Sequence, residues 1–180
     1  DNIMTSGKLA LNDSGAESSL HYASDITRTF PVNGKFSSLQ KDIYNIVYNM
    51  QQAAFSFCSP GKSYKDAHIA AARIAVEGLI SLGIMNGNSR DAVESGAHAL
   101  FFPHGLGHML GLDVHDMEGL GEDLVGYDEN SERSDQFGLA YLRLAKNLQE
   151  GFVLTVEPGI YFIPSLIEQW EAENKHHNFI

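Results

Sequence analysis

From Lys8 onward, short apolar and β-branched runs alternate with clusters of turn formers. Lys8-Leu9-Ala10-Leu11 enters, Asp13 to Ser19 supplies turn chemistry, and Leu20 to Val32 returns with β-branched and aromatic residues, which predicts a strand pair. With a tip near Ser19, Asp13 and Asp25 would face each other across it, and cross-strand partners lie about 5 Å apart at Cβ. After Asn33-Gly34 the period lengthens to that of a helix. Leu39, Ile43, Ile46, Val47, Met50 and Ala54 share one face behind a cap at Ser37 or Ser38, and Ser59-Pro60-Gly61 ends the run. A second helix is predicted from Ser63 to near Gly83 on Ala67, Ile69, Ala70, Ile74, Ala75 and Leu79, and a short third one after Ser89. Their apolar faces carry no clustered ionisable residues, so they read as scaffold.

Period two returns at Leu112-Asp113-Val114-His115 and predicts a strand with Asp113 and His115 on one face. Residues 117–135 read as a long surface loop of the kind that serves as a lid. Gly138 to Gln149 reads as a helix carrying Arg143 and Lys146, and Gly151 to Val156 as a buried strand that runs straight into Glu157-Pro158-Gly159. A carboxylate closing an apolar strand is costly unless it is solvated or paired with a cation.

Composition narrows the function classes. The 180 residues suffice for one core or for a piece of a larger domain, and 43% hydrophobic with 19% charged residues is ordinary for a globular chain. Twelve Lys and Arg against 23 Asp and Glu give a net charge of -11, which repels a nucleic-acid backbone or an anionic membrane surface and suits a cation or a small neutral substrate. The single cysteine, Cys58, excludes an internal disulfide and a cysteine-rich zinc module, and reads as a small apolar residue. No apolar run reaches the roughly 18 residues of a membrane span, and no signal-like segment opens the chain, so a cytoplasmic location is expected.

Candidate chemistry concentrates at Pro103 to Asp116, PHGLGHMLGLDVHD, where three of the 8 histidines fall within twelve residues. Together with Asp13, Asp25 and Glu157, His108 and His115 form a set of polar residues that the scaffold does not explain. Carboxylates with one imidazole suit Mn, Fe, Co or Zn, and a pair of such ions activates water for attack on a carbonyl, a hydrolase chemistry. Each residue also has a bland reading: Asp13 as a turn former, Asp25 as a strand-edge residue, His108 as a structural histidine, Glu157 as a surface residue. Spacing alone leaves both readings open.

The runs Asp13-Ser-Gly-Ala-Glu, Ser24-Asp-Ile-Thr-Arg-Thr-Phe-Pro31, His104-Gly-Leu-Gly-His108, Leu112-Asp-Val-His-Asp116 and Val156-Glu-Pro-Gly-Ile-Tyr161 occur in the order found in the pita-bread metallopeptidases. The chain resembles their Xaa-Pro aminopeptidase (aminopeptidase P) and prolidase branch more than the methionine aminopeptidases. The resemblance implies an α/β (α+β) pita-bread fold and release of an N-terminal residue preceding proline from proline-containing peptides. Its alternatives are a prolidase acting on Xaa-Pro dipeptides and a metal-free binding module on the same fold. It also implies two divalent ions, Mn first with Zn or Co as alternatives. Asp13, Asp25, His108 and Glu157 would be the ligands, with Asp25 bridging, while His115 supports the tetrahedral intermediate and His104 lines the substrate pocket.

Two departures accompany the resemblance. Asp13 and Asp25 are twelve positions apart, one more than the family commonly has, so a residue must be absorbed in the turn or as a bulge. The second bridging glutamate of a Gly-Gly-x-Arg-x-Glu stretch, a histidine upstream of Asp13 and the usual amino-terminal domain do not occur within the 180 residues. Residues 1–180 are therefore expected to be a partial metallopeptidase catalytic domain, incomplete at both ends and inactive alone. Uncompensated carboxylate repulsion would weaken its metal binding, and its exposed edges would favour a homo-oligomer.

Overall fold

The computed structural model describes residues 3–180. Strands β1 (Leu9–Ser14) and β2 (Ile26–Pro31) pair antiparallel, with Asp13 opposite Thr27 and Ser14 opposite Ile26. The expected strand pair is present in a different register, because the turn lies one residue further on. Glu17 bridges Ala23, which centres the tip on Leu20 and leaves Asp25 across from Gly15 rather than Asp13. The extra residue sits in this turn, where Ser18 N donates to Tyr22 O at 2.9 Å and His21 takes a φ of 64°. Gly15 is needed where the two backbones cross, since a Cβ there would lie 1.8 Å from Ser24 O.

Helix α1 (Ser38–Phe57) starts with a capping box: Ser37 Oγ accepts from Gln40 N, and Gln40 Oε1 accepts from Ser37 N. It packs along α2 (Tyr64–Ser81), whose buried face of Ala67, Ala71, Ala72 and Ala75 is small enough to admit Met50 and Ala54. Helix α3 (Ser89–Ser95) is capped by Asn88 and ends at Gly96 in the left-handed region. A single 3-10 turn, Ala97–Leu100, then drives Phe101 and Phe102 into the core. Full burial of a side chain of this size contributes about 1.5–3 kcal/mol. The α2 face does hold an ionisable residue: His68 is fully buried, with the equally buried His98 6.1 Å away between ring centroids. Desolvation holds both imidazoles neutral, lowering His98 to about 4 and His68 well below its ordinary value.

The second half departs from the periodicity in three places. Leu112–His115 is a bend, because Asp116 folds the segment back: its N donates to Met109 O, and its carboxylate accepts from Asp113 N. Residues 138–149 form turns and extended backbone instead of a helix. Their carbonyls are bonded elsewhere, Ala140 and Leu142 to Arg133, Ala145 to Ser63, Lys146 to Tyr64 N. Residues 151–156 are extended and pair with 106–110, yet Val153 is 57% exposed, so this is a half-buried ladder. The acidic loop contains a 3-10 turn, Glu118–Leu120, and α4 (Glu122–Gly126); α5 (Pro164–Ala172) follows and buries Trp170. Among the described residues no helix is long and apolar enough to cross a membrane.

Gly78 on α2 faces Ile46, whose side-chain atoms would lie 2.6–2.8 Å from an added Cβ. Overpacking costs about 1–3 kcal/mol, whereas Ala gains about 1 kcal/mol over Gly in a helix. Gly78→Ala is therefore expected to lower the urea midpoint, by roughly 1 kcal/mol in stability; a raised midpoint would contradict the close α1–α2 packing.

Candidate metal centre

The site begins with an antiparallel backbone pairing. Leu110 N donates to Val153 O (3.0 Å), Thr155 N to His108 O (2.9 Å) and Glu157 N to Leu106 O (2.8 Å). Period-two alternation then sets Thr155 and Glu157 on the face that carries His108. The hairpin docks onto this ladder where Ala23 N donates to Gly111 O at 2.8 Å. That contact delivers Asp25, from a remote part of the chain, to the same imidazole.

His108 Nε2 lies 3.2 Å from Asp25 Oδ2 and 3.1 Å from Glu157 Oε1. These three ligand atoms are all within 4.8 Å of one another. On its other side the ring places Nδ1 2.9 Å from Met109 O. A carbonyl can only accept, so Nδ1 carries a proton and Nε2 is the nitrogen that faces the carboxylates, where a metal ion would replace any Nε2 proton, the orientation a metal-ligating histidine needs. An imidazole nitrogen with two carboxylate oxygens suits a divalent transition ion.

The electrostatics agree with that donor set. Burial alone would lower the His108 pKa, but hydrogen bonds to Glu157 and Met109 O and the charges of Glu157 and Asp25 hold it above its ordinary value. Burial works on Glu157 in the opposite sense and is outweighed by hydrogen bonds from His108 and Thr155, leaving it low. Asp25 is raised, by desolvation first and then by the charges of Glu157 and Asp13. A cation between these carboxylates would relieve the repulsion that helps raise Asp25.

The remaining expected residues surround this group. His115 stands edge-on to His108 with ring centroids 4.3 Å apart and is 46% exposed at its side chain. Its Nδ1 is 3.8 Å from Glu118 Oε2, and Glu118 is itself paired with Arg143. His104 donates from Nδ1 to Gly105 O (2.7 Å) and packs edge-on against Phe102 and Tyr161. Burial lowers its pKa. Asp13 accepts from Thr27 Oγ1 at 2.9 Å and stays outside the three-ligand group, close enough for its charge to act on Asp25.

A cavity of about 690 Å³ opens over His104, His108, His115 and Glu157, and its far wall contains Arg133, Arg143 and Glu122. The arginines escaped the sequence reading of the site. Arg133 ties α4 to residues 140–142, bonding Glu122 (2.7 Å), Asp123 (2.6 Å) and the carbonyls of Ala140 and Leu142 while covering the Tyr127 ring. Two of the chain's twelve cationic residues so near an acidic run was the available signal.

A family model described as Metallopeptidase family M24 matches residues 1–176. The chain is 44% identical over 175 residues to "Probable Xaa-Pro aminopeptidase pepP" of Botryotinia fuckeliana, covering 97% of this chain and 36% of the relative. It is 43% identical over 180 residues to Xaa-Pro dipeptidase of Homo sapiens, covering 100% of this chain and 35% of the relative. Among solved structures, Pseudomonas aeruginosa aminopeptidase PepP superposes with a TM-score of 0.73 at 39% identity, over 91% of this chain and 33% of that one. Zn-substituted Escherichia coli aminopeptidase P in complex with product gives 0.71 at 41% identity, over 89% and 32%. The chain thus spans about a third of the length of the relatives it matches.

The raised His108 pKa has a measurable consequence. A metal must displace the Nε2 proton, so affinity should fall by up to about tenfold per pH unit below the folded-state pKa and level off above it. Calorimetric Mn titration from about pH 6 to about pH 8, the range of histidine titration, should show affinity rising with pH. An affinity unchanged across that range would contradict the assignment of His108 Nε2.

Proposed function

We propose, for a chain that belongs to metallopeptidase family M24, that it forms part of the catalytic domain of an Xaa-Pro aminopeptidase, which hydrolyses the bond between an N-terminal residue and a following proline. Its mixed α/β arrangement matches the aminopeptidase P structures and is the pita-bread fold. The observation that carries the reading is the convergence of Asp25, His108 and Glu157 on one point, with the His108 tautomer fixed by Met109 O. Asp25 Oδ2, His108 Nε2 and Glu157 Oε1 would hold one divalent ion, and Asp13 with Asp25 a second. Bound there, such ions lower the pKa of water and polarise the scissile carbonyl. Mn is the first candidate, with Zn or Co as alternatives.

The chain's own groups do the rest. His115 lines the cavity beside His108 and would donate a hydrogen bond to the oxygen on which negative charge develops. Glu118, braced by Arg143, lies beside that ring, its Oε2 3.8 Å from Nδ1. His104, its pKa lowered by burial, lines the pocket as an uncharged ring, its Nδ1 committed to Gly105 O and its Nε2 buried. The substrates are proline-containing peptides, in keeping with a net charge of -11 that disfavours nucleic acid. A dipeptidase restricted to Xaa-Pro is the second reading, supported by 43% identity across the whole chain to the human enzyme of that name. Turnover of an Xaa-Pro dipeptide against a tripeptide by the complete protein separates the two.

Because three ligand atoms converge while Asp13 reaches Asp25 and lies outside that group, the 180-residue chain alone is expected to take up one ion more readily than two and to cleave no Xaa-Pro peptide. Measurable cleavage by the purified chain would contradict this. In the complete protein, His115→Ala should lower kcat about 10²- to 10³-fold with Mn uptake retained, whereas Asp25→Asn should lose both. Full activity in either variant would overturn the proposed function.

A further inference from the structure

Thr155 is two residues from Glu157 and directly across the backbone pairing from His108. It is 9% exposed, and its hydroxyl is used in both directions: Oγ1 accepts from the backbone N of His108 at 3.0 Å and donates to Glu157 Oε1 at 2.8 Å. A hydroxyl has one proton, so giving it to the carboxylate leaves the lone pairs for the amide, and both directions are fixed. The same Glu157 oxygen faces His108 Nε2. One small side chain therefore holds the peptide unit of one expected ligand and the carboxylate of another.

Thr155 is in turn fixed from the helical side. Its N donates to His108 O at 2.9 Å, and its carbonyl accepts from the Tyr64 hydroxyl at 2.5 Å. Tyr64 is fully buried at the first position of α2, and burial with the nearby Cys58 and Glu157 keeps its phenol protonated, hence a donor. The junction leaves no spare volume: a Cβ on Gly107 would lie 2.2 Å from Thr155 O, 2.7 Å from Thr155 Oγ1 and 2.7 Å from the Tyr64 oxygen.

We infer that Thr155 is a positioning residue for the metal ligands, clamping His108 and Glu157 into one ligating pose, and that Tyr64 anchors this clamp to α2. The inference rests on the metal-centre reading above. Thr155→Val keeps the shape but removes the hydroxyl, leaving a buried His108 N–H without its acceptor and Glu157 Oε1 without its donor. Loss of such an outer contact weakens metal binding about 10- to 100-fold.

The test measures Mn affinity by calorimetry and the thermal midpoint of the metal-free form, in the complete protein that carries this chain. Thr155→Val should weaken Mn binding about 10- to 100-fold, Thr155→Ser should restore it, and Tyr64→Phe should weaken it to a smaller extent. A residue that only supports the fold would shift the midpoint in Thr155→Val and leave the affinity of the folded protein alone. Wild-type affinity in Thr155→Val overturns the inference, as does a Thr155→Ser protein that binds no better than Thr155→Val. Should Thr155→Val fail to fold, the Ser and Tyr64→Phe variants decide, and wild-type affinity in Tyr64→Phe removes the anchor. A wild-type protein that takes up no Mn overturns the metal-centre reading itself, an outcome distinct from uptake that is insensitive to Thr155.

Discussion

Carboxylates drawn toward one imidazole repel each other, and a positive charge between them relieves that repulsion. Hydrogen bonds to Glu157 and Met109 O and the charges of Glu157 and Asp25 hold His108 above its ordinary pKa although burial pulls the other way. Asp25 records the residual strain of the arrangement, raised by its own desolvation and by the charges of Glu157 and Asp13. A divalent ion would offset this desolvation and repulsion together. The need for a cation links the net charge of -11, the hairpin that carries two aspartates and the fixed tautomer of His108.

The helices make such a concentration of charge tolerable by supplying rigidity. Small residues on α2 let α1 approach closely, and Tyr64 at the start of α2 reaches across to the Thr155 carbonyl. Each of the three converging ligands thus arrives on a different element: Asp25 after the hairpin turn, His108 on one strand of the ladder, Glu157 on the other. Cross-chain hydrogen bonds, Ala23 to Gly111 and Thr155 to His108, convert three sequence-distant segments into one surface. The acidic loop adds its own support, because Arg133 and Arg143 pin it against residues 140–142 and the His115 side of the cavity.

Legibility in the sequence followed the range of the interactions. Helices α1 and α2 could be read because a cap and an i, i+3, i+4 stripe are local signals; of the two expected caps Ser37 serves, and Gln40 completes a capping box with it. The strand expected at Leu112–His115 and the helix expected over 138–149 were lost to partners that no local pattern reveals, the Asp116 carboxylate in one case and Arg133, Ser63 and Tyr64 in the other. The hairpin register slipped for a similar reason, since Ser18 and His21 build a turn one residue beyond the expected tip. His68 was overlooked because a lone imidazole among alanines looks like a solvated position until the packing of Phe102 and His98 around it is known. Motif order marked Asp13, Asp25, His108 and Glu157; that the last three converge, with Asp13 reaching the group through Asp25, is tertiary geometry.

The most direct test of the central claim is an anomalous difference map, collected at the Mn absorption edge from crystals of the complete protein equilibrated with Mn. The expected result is a peak within ligating distance of Asp25 Oδ2, His108 Nε2 and Glu157 Oε1, with a second beside Asp13 and Asp25. A map with no peak at this cluster, or with its strongest peak in the Glu118–Asp123 loop, would contradict the assignment of these residues as the metal centre.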